Sequence, residues 1–424
     1  MSYSSVLLRC TLTSLALLAS TISLAAPEIT HGVSAGDVTS TSAVIWARTD
    51  RVADMWVSYY TATGQSDGKE SQTQNSAATD YAAQVKLTEL QPGTQYRYEV
   101  RFEDRSGTSK KQAGLFRTAP LSGQKADVSL IWGGDLAGQT YCRQVGSGYE
   151  IFEPMTAIGA DFYVANGDMI YADNACPAKG PLVGWVNVPG GFPGIGAEEV
   201  DWTNVAAVRE VYNQHWRYNR SDPAFQKFLR VTPQYVQWDD HEVINDFGAN
   251  WPEHAASPNR EGYPNIVAAG LKSMFDFHPI DRHPEEPNRI YRSYRWGQHA
   301  ELFIVDARSY RSRNVEPDTR EVGKTMLGAP QLAWLKKSLS ESTATWKIIS
   351  NDVPLSIPTG SGAVTLGRDA FADGKNPFTA SANLGLASTT GFERELLDLL
   401  GFLDKANVAN IVFISTDVHF AAQL

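Results

Sequence analysis

Between Pro27 and Pro120 apolar and polar positions alternate in short segments, TSAVIWART, DMWVSYYT, YAAQVKLTEL, TQYRYEVRFED and QAGLFRTAP, separated by turn residues. A period of two with regular turns predicts strands packed as a β-sandwich, and Trp46 in VIWAR is expected to fill its core. After Gly123 the texture changes. The runs VSLIWGGD, DFYVANGD, PQYVQWDD, AELFIVDAR, WKIISND and NIVFISTD are almost continuously apolar, and IFEPMTAI, QLAWLKKSL and FERELLDLLGFL fall between them. Such strands predict an α/β layered domain whose sheet is covered on both faces by helices. The Gly/Pro-rich stretch from Cys176 to Gly196 is too irregular for a helix or strand and reads as a long loop over a site. There is no internal repeat.

At 424 residues the chain exceeds one ordinary core, so two units are expected, at 27–120 and 121–424. Residues 1–26 read as an export signal: Arg9 is their only charge, Val6 to Leu24 is apolar, and Ser23-Leu24-Ala25-Ala26 offers small residues for cleavage. A membrane anchor is the alternative, but the run is short and broken by Thr and Ser. The protein is therefore expected to be secreted or periplasmic and monomeric, without a stable membrane anchor. A net charge of −10 argues against a nucleic-acid-binding surface. Outside the signal only Cys142 and Cys176 remain, and an oxidising compartment lets them pair.

The acidic residues carry the chemistry. Asp135, Asp168, Asp239-Asp240 and Asp417 each close a predicted strand, and in an open α/β sheet the ligand crevice lies beyond the carboxyl ends of the strands. One such Asp alone is as often a helix cap. Several at one edge concentrate negative charge that cations must offset. In NGDMIY, Gly167 allows close backbone approach and Tyr171 can turn back toward the ion held by Asp168; a phenolate suits ferric iron. In WDDHE, Asp240 can bind while His241 faces substrate and Glu242 orients its neighbours. In TDVH, Asp417 and His419 point the same way.

Two resemblances follow. LTELQPGTQYRYEV is similar to the corner of fibronectin type III modules, where a Tyr hydroxyl, here Tyr96, bonds back across the loop; an unspecific β-domain is the alternative. The ordered series GD, GDxxY, DDHE and DxH, with Asp306-Ala307-Arg308 and the Gly-x-x-Gln-x-x-Trp-Leu segment from Gly328 to Leu335, resembles the calcineurin-like metallophosphoesterases, specifically the alkaline phosphatase D (PhoD) family. That resemblance spans the mature chain. It implies a layered metallophosphoesterase α/β sandwich behind a fibronectin type III-like domain, and a metal-dependent phosphoesterase acting on small phosphate mono- or diesters.

It further implies that Asp168 bridges two metals, that Tyr171 binds iron, and that His241 is the catalytic His serving the leaving group. Asp135, Asp240, Asp417 and His419 complete the ligands. Fe³⁺ plus a divalent cation is expected, Ca²⁺ ahead of Zn²⁺ or Mn²⁺, because the donors are oxygen-rich. The superfamily's opening Asp-x-His is here Asp135-Leu136-Ala137, and its His-x-Pro strand end is Asn351-Asp352-Val353-Pro354, so Asn351 or Asp352 is a further candidate ligand. Cys142 is open to three readings, a disulfide with Cys176, a thiolate on iron or a free buried thiol. Arg143 and Arg308 are candidate phosphate grips, with a structural ion pair the alternative for Arg308. His215, His254, His278 and His283 read as ordinary polar contacts and His299 as a turn residue. A phospholipase, a purple acid phosphatase-like monoesterase and a non-catalytic extracellular binding protein are the rival functions. Because family members continue well beyond this motif, a chain ending at Leu424 is expected to be truncated.

Overall fold

The computed structural model describes residues 25–62, 64, 68–248, 266–314, 316–356, 369–372, 391–417 and 419. The expected signal, His254 and the final segment Phe420–Leu424 lie outside them. The N-terminal part contributes β1 (Ile29–Gly36), β2 (Ala43–Thr49), β3 (Asp54–Thr61), β4 (Lys69–Gln74), β5 (Ala82–Leu87), β6 (Gln95–Asp104), β7 (Gly107–Thr108) and β8 (Gln112–Arg117). Then follow β9 (Leu130–Gly133), α1 (Phe152–Ile158), β10 (Phe162–Asn166), α2 (Val205–Arg220), α3 (Pro223–Val231), β11 (Gln234–Gln237) and α4 (Ile266–Phe277). The chain continues through β12 (Arg292–Trp296), β13 (Ala300–Ile304), α5 (Ala329–Glu341), β14 (Trp346–Ser350), α6 (Glu393–Lys405) and β15 (Ile411–Ile414).

Alternation in the first 120 residues does produce a sandwich. Val33, Ile45, Met55, Val57, Val85, Tyr98, Val100 and Phe116 form its buried core, and the Gln91 amide donates to the Tyr96 hydroxyl at 2.9 Å across the expected corner. One face of the sandwich, however, is not a separate sheet. The order β5-β2-β1-β11-β10-β9 is continuous, with β1 pairing parallel to β11 at Gly36 and Gln234. Strand β2 is therefore buried on both sides. Since successive side chains point to opposite faces, Ile45 and Ala47 fill the sandwich while Trp46 points away from it. Trp46 belongs to the core of the larger unit, where its indole donates to the Asp276 carbonyl at 2.8 Å, a correction to its expected place.

The larger unit is a four-layer stack. A second sheet, β12-β13-β14-β15, faces the first, with Phe162 against Trp296 at 4.8 Å and Asn166 donating to Ser350 Oγ at 2.5 Å. Val208, Val211, Trp216, Phe225 and Phe228 cover the outside of the first sheet, and Leu335, Leu339, Leu399 and Leu403 cover the outside of the second. Strands β9–β11 and the second sheet thus each have helices on one face and each other on the opposite face, rather than helices on both. Strands β9, β10 and β11, and likewise β13, β14 and β15, run parallel, so their carboxyl ends share one edge of each sheet.

Candidate metal centre

At that edge the loops after β9, β10, β11 and β15 bring the predicted acids together. The β9 loop is tied to the β10 loop by Leu136 N–H donating to the Asp168 carbonyl at 2.7 Å. Gly167 has φ +90°, and a Cβ there would lie 2.5 Å from the Asp239 Cβ, so only glycine lets the β10 loop approach the β11 loop this closely. Asp135, Asp168, Asp417 and His419 also take left-handed backbone, at φ 55°, 52°, 75° and 56°. Such conformations cost of order 1 kcal/mol or more each and gather where function holds them.

Four sets of side chains place one ligand atom each within 4.8 Å of one another: Asp135, Asp168 and His419; Asp168, Asp240 and His241; Asp239, Asp240 and Asp417; and Asp240, Asp246 and Asp369. Asp168 belongs to the first two sets. The Tyr171 hydroxyl lies 2.7 Å from His419 Nε2 and 3.3 Å from Asp135 Oδ1, so it joins the first. Asp168 accepts the His241 amide at 3.0 Å through Oδ1, whereas its Oδ2 and that of Asp239 are buried without hydrogen-bond partners. His241 is stacked on Tyr171 with ring centroids 4.0 Å apart, and its Nδ1 is 2.7 Å from Asp173 Oδ1.

Electrostatics fit a cation. Burial, then the carboxylates of Asp240 and Asp239, push Asp168 well above the usual carboxyl range, and burial pushes Asp239 the same way against Arg308. Burial and Asp168 likewise drive the Tyr171 phenol up. Burial alone lowers the His241 pKa, but Asp240 and Asp173 outweigh it and raise it to about 9. Buried acids that oppose one another's ionisation, with orphaned oxygens, are a donor set that a metal completes.

Glu242 holds the frame. Its carboxylate accepts the backbone N–H groups of Asp168 at 3.0 Å, Met169 at 2.7 Å and Asp239 at 2.9 Å, clamping the loops after β10 and β11 together. Asp173, Asp246 and Asp369 were missed as site residues by sequence reasoning, and Asp239 was named as a strand-end acid without a role of its own. Asp173 and Asp246 had a signal in their place within the strand-end loops; Asp369 closes no predicted strand and had none.

Arg308 makes the structural ion pairs that were the alternative to a phosphate grip. It is fully buried and ion-paired with Asp239 and, at 2.6 Å, Asp369, with Asp240 and Asp417 at 3.6 and 3.7 Å. Arg143 stacks over Tyr218 at 4.1 Å and donates to Ser221 Oγ at 2.8 Å. Asp352 accepts the Ala307 N–H at 3.1 Å, and Asn351 turns its amide to the Val353 carbonyl. The sulfurs of Cys142 and Cys176 are bonded to each other, which leaves no thiolate at Cys142 for iron. His215 faces the carbonyls of Val211 and Asn174, His283 accepts from Glu286 N–H, and His299 meets Thr345. His278 is buried with neither nitrogen hydrogen-bonded, so it is not the ordinary polar contact expected.

Beyond the disulfide the loop of 176–196 is stitched to the β9 loop by Val145 N–H to Val186 O at 2.8 Å and Val188 N–H to Arg143 O at 2.7 Å. It delivers Trp185, edge-on to Tyr141 at 5.5 Å, to a cleft of about 1600 Å³ that Asp135 and His419 also line.

Two facing sheets with helices outside and an acid-lined cluster at the strand ends define a layered α/β protein of the metallophosphoesterase type. Residues 130–424 match the PhoD-like phosphatase family and residues 16–120 its N-terminal domain, so the chain belongs to the PhoD-like phosphatases. Alkaline phosphatase D of Bacillus subtilis (strain 168) is 24% identical over 351 residues, covering 80% of this chain and 53% of that protein; the chain spans about half the length of this relative. A solved structure of PhoD superposes with a TM-score of 0.70 at 20% identity, covering 92% of this chain and 72% of that one. Purple acid phosphatase PPD1 from yellow lupin (Lupinus luteus) seeds follows at 0.55 and 13%, covering 93% and 59%. Both likenesses concern the fold. Among the described residues no helix is long and apolar enough to cross a membrane.

Proposed function

We propose that this chain is a metal-dependent phosphoesterase hydrolysing small phosphate mono- or diesters. The observation that carries the reading is the sharing of Asp168 between two adjacent ligand sets, with its second oxygen orphaned, so that this carboxylate would serve both ions of a pair. Asp135, Asp168, Tyr171 and His419 would hold one ion; Asp168 and Asp240 would hold the other, and Asp240 also groups with Asp239 and Asp417. Fe³⁺ at the phenol-containing set and Ca²⁺ at the all-carboxylate set match the donors. When bound, such a pair polarises phosphate oxygens and lowers the pKa of water.

The protein's own groups do the rest. His241 carries the proton for the departing alkoxide on Nε2, because Asp173 occupies Nδ1 and fixes the ring against Tyr171. Arg308 neutralises the acids behind the site and holds Asp239 in place. We also read residues 1–26 as an export signal and 27–120 and 121–424 as two units. The disulfide supports an oxidising destination.

Hydrolysis of p-nitrophenyl phosphate and bis-p-nitrophenyl phosphate by purified protein, with and without chelator, tests the reading. Hydrolysis lost on chelation and restored by metal is expected; chelator-insensitive turnover, or none in metal-replete protein, refutes it.

A further inference from the structure

Where the N-terminal sandwich meets the larger unit, the protein buries a cation that has no counter-charge among the described residues. Arg220, the last residue of α2, is 1% exposed. Its guanidinium lies 3.8 Å over the Trp46 ring, and Nη2 donates to Ser34 Oγ at 3.0 Å. Nε and Nη1 are buried with no hydrogen-bond partner. The neighbouring carboxylates are committed elsewhere: Asp80 to Arg48 at 2.9 Å and Arg217 at 2.7 Å, Glu210 to Arg217, and Asp276 to Arg209 and Lys272, both at 2.8 Å. Among the described residues none pairs with Arg220.

The surroundings add donors rather than acceptors. Trp216 lies one turn earlier on the same face of α2, and its indole N–H is buried and unmet. Its ring meets His278 edge-on at 4.5 Å, and both His278 nitrogens are unmet. Against these the junction offers Gln234 Oε1 and one lone pair of the neutral His278 ring. A buried, unpaired guanidinium is among the most costly arrangements in a protein interior, and desolvation with no nearby acid lowers the Arg220 pKa to about 9.

We propose that this junction binds a small monovalent inorganic anion of chloride size, held against the Arg220 guanidinium at one of its two unmet edges. One uncompensated positive charge calls for one negative charge. Arg220, Trp46, Ser34, Gln234, Trp216 and His278 are all buried, which excludes a phosphate ester or any larger acid. The site is distinct from the metal centre, since Gln234 opens β11 whereas Asp239 and Asp240 follow its other end. Arg220 itself joins Ser34 on β1 and Trp46 on β2 to α2, so an anion that neutralises it steadies the junction of the sandwich with the larger unit.

Thermal unfolding of the full chain in sodium chloride and in sodium gluconate at equal ionic strength tests this, with Arg220→Met as the control. Wild-type Tm is expected to climb by about 3 °C or more across a hundredfold rise in chloride above its Kd, and Arg220→Met to lose the chloride-specific part. Crystals soaked in sodium bromide are expected to show an anomalous peak against the Arg220 guanidinium, a measurement that stands even where the variant fails to fold. Equal melting in both salts with no bromide peak at Arg220 overturns the proposal and makes the junction a water site. A chloride effect that persists undiminished in Arg220→Met overturns it as well.

Discussion

Replacing Glu242 with Gln tests whether the metal centre is pre-built by its backbone clamp. The carboxylate is 1% exposed and accepts three backbone N–H groups, two through Oε2, from Asp168 and Asp239, and one through Oε1, from Met169. An amide of the same shape has one oxygen. In its better orientation it keeps the two bonds at Oε2 and turns an NH₂ toward Met169 N–H; in the other it loses both. At least one bond to a charged acceptor disappears, worth about 1.5–3 kcal/mol. That bond fixes Met169, the chain neighbour of the Asp168 shared by two ligand sets, so the loss falls on metal affinity, and at 1.4 kcal/mol per factor of ten it predicts about 10–100-fold weaker binding, the usual range for groups that orient ligands. Without metal the effect is smaller, because burial already raises the Glu242 pKa to about 7 and relief from that burial offsets the lost bond. Calorimetric titration of chelator-stripped wild type and variant with Zn²⁺ and Ca²⁺ at pH 8, together with melting curves with and without metal, reads both quantities. Affinities equal within twofold refute the reasoning. So does a melting point lowered equally with and without metal, which makes Glu242 a structural clamp only.

Three further outcomes follow from named contacts. Tyr171→Phe in iron-loaded protein is expected to abolish any visible phenolate-to-iron absorption; a band that survives removes Tyr171 as a ligand. Reduction of Cys142–Cys176, or Cys142→Ala with Cys176→Ala, opens a constraint spanning 34 residues and is expected to lower stability by about 3–4 kcal/mol, read as a shift in denaturation midpoint; an unchanged midpoint refutes it. His31 is held down to about 3 by burial, then by Arg48, Arg220 and Arg217, so the folded state binds fewer protons than the unfolded state below the ordinary value of 6.5. Its contribution is complete above about pH 6.5 and is lost as pH falls toward 3, roughly 2 kcal/mol by pH 5. Urea midpoints of wild type and His31→Asn across pH 5–8 are expected to differ in slope in that window, and parallel curves would sink the assignment.

Much of this was legible because strand-end acids announce themselves. A parallel strand buried on both faces reads as an apolar run, so the Asp that terminates it stands out, and Asp135, Asp168, Asp240 and Asp417 all converge on one edge. Arg308 stayed open between a phosphate grip and an ion pair because a lone Arg near a phosphate site carries no mark of depth; only packing shows it buried among Asp239, Asp240, Asp369 and Asp417. Trp46 misled for a related reason. Alternation predicts which residues share a face, but not whether the opposite face meets solvent or another core. Asp369 was invisible because it belongs to no periodic element.

The same ambiguity at β2 exposes a coupling between the two parts of the chain. Strand β1 is the hydrogen-bonded neighbour of β11, and β11 runs directly into Asp239, Asp240 and His241. Arg292, at the start of β12, reaches Asp37, just past β1, at 2.9 Å and the Val236 carbonyl on β11 at 2.9 Å, so the three strands are cross-linked near one end. A strand pinned on both sides holds its terminal acids in fixed register, as a site built from four loops needs if its carboxylates are to stay within ligand distance despite mutual repulsion. The sandwich is therefore part of the scaffold of the candidate metal centre: it supplies β1, the strand that pairs with β11 on one side.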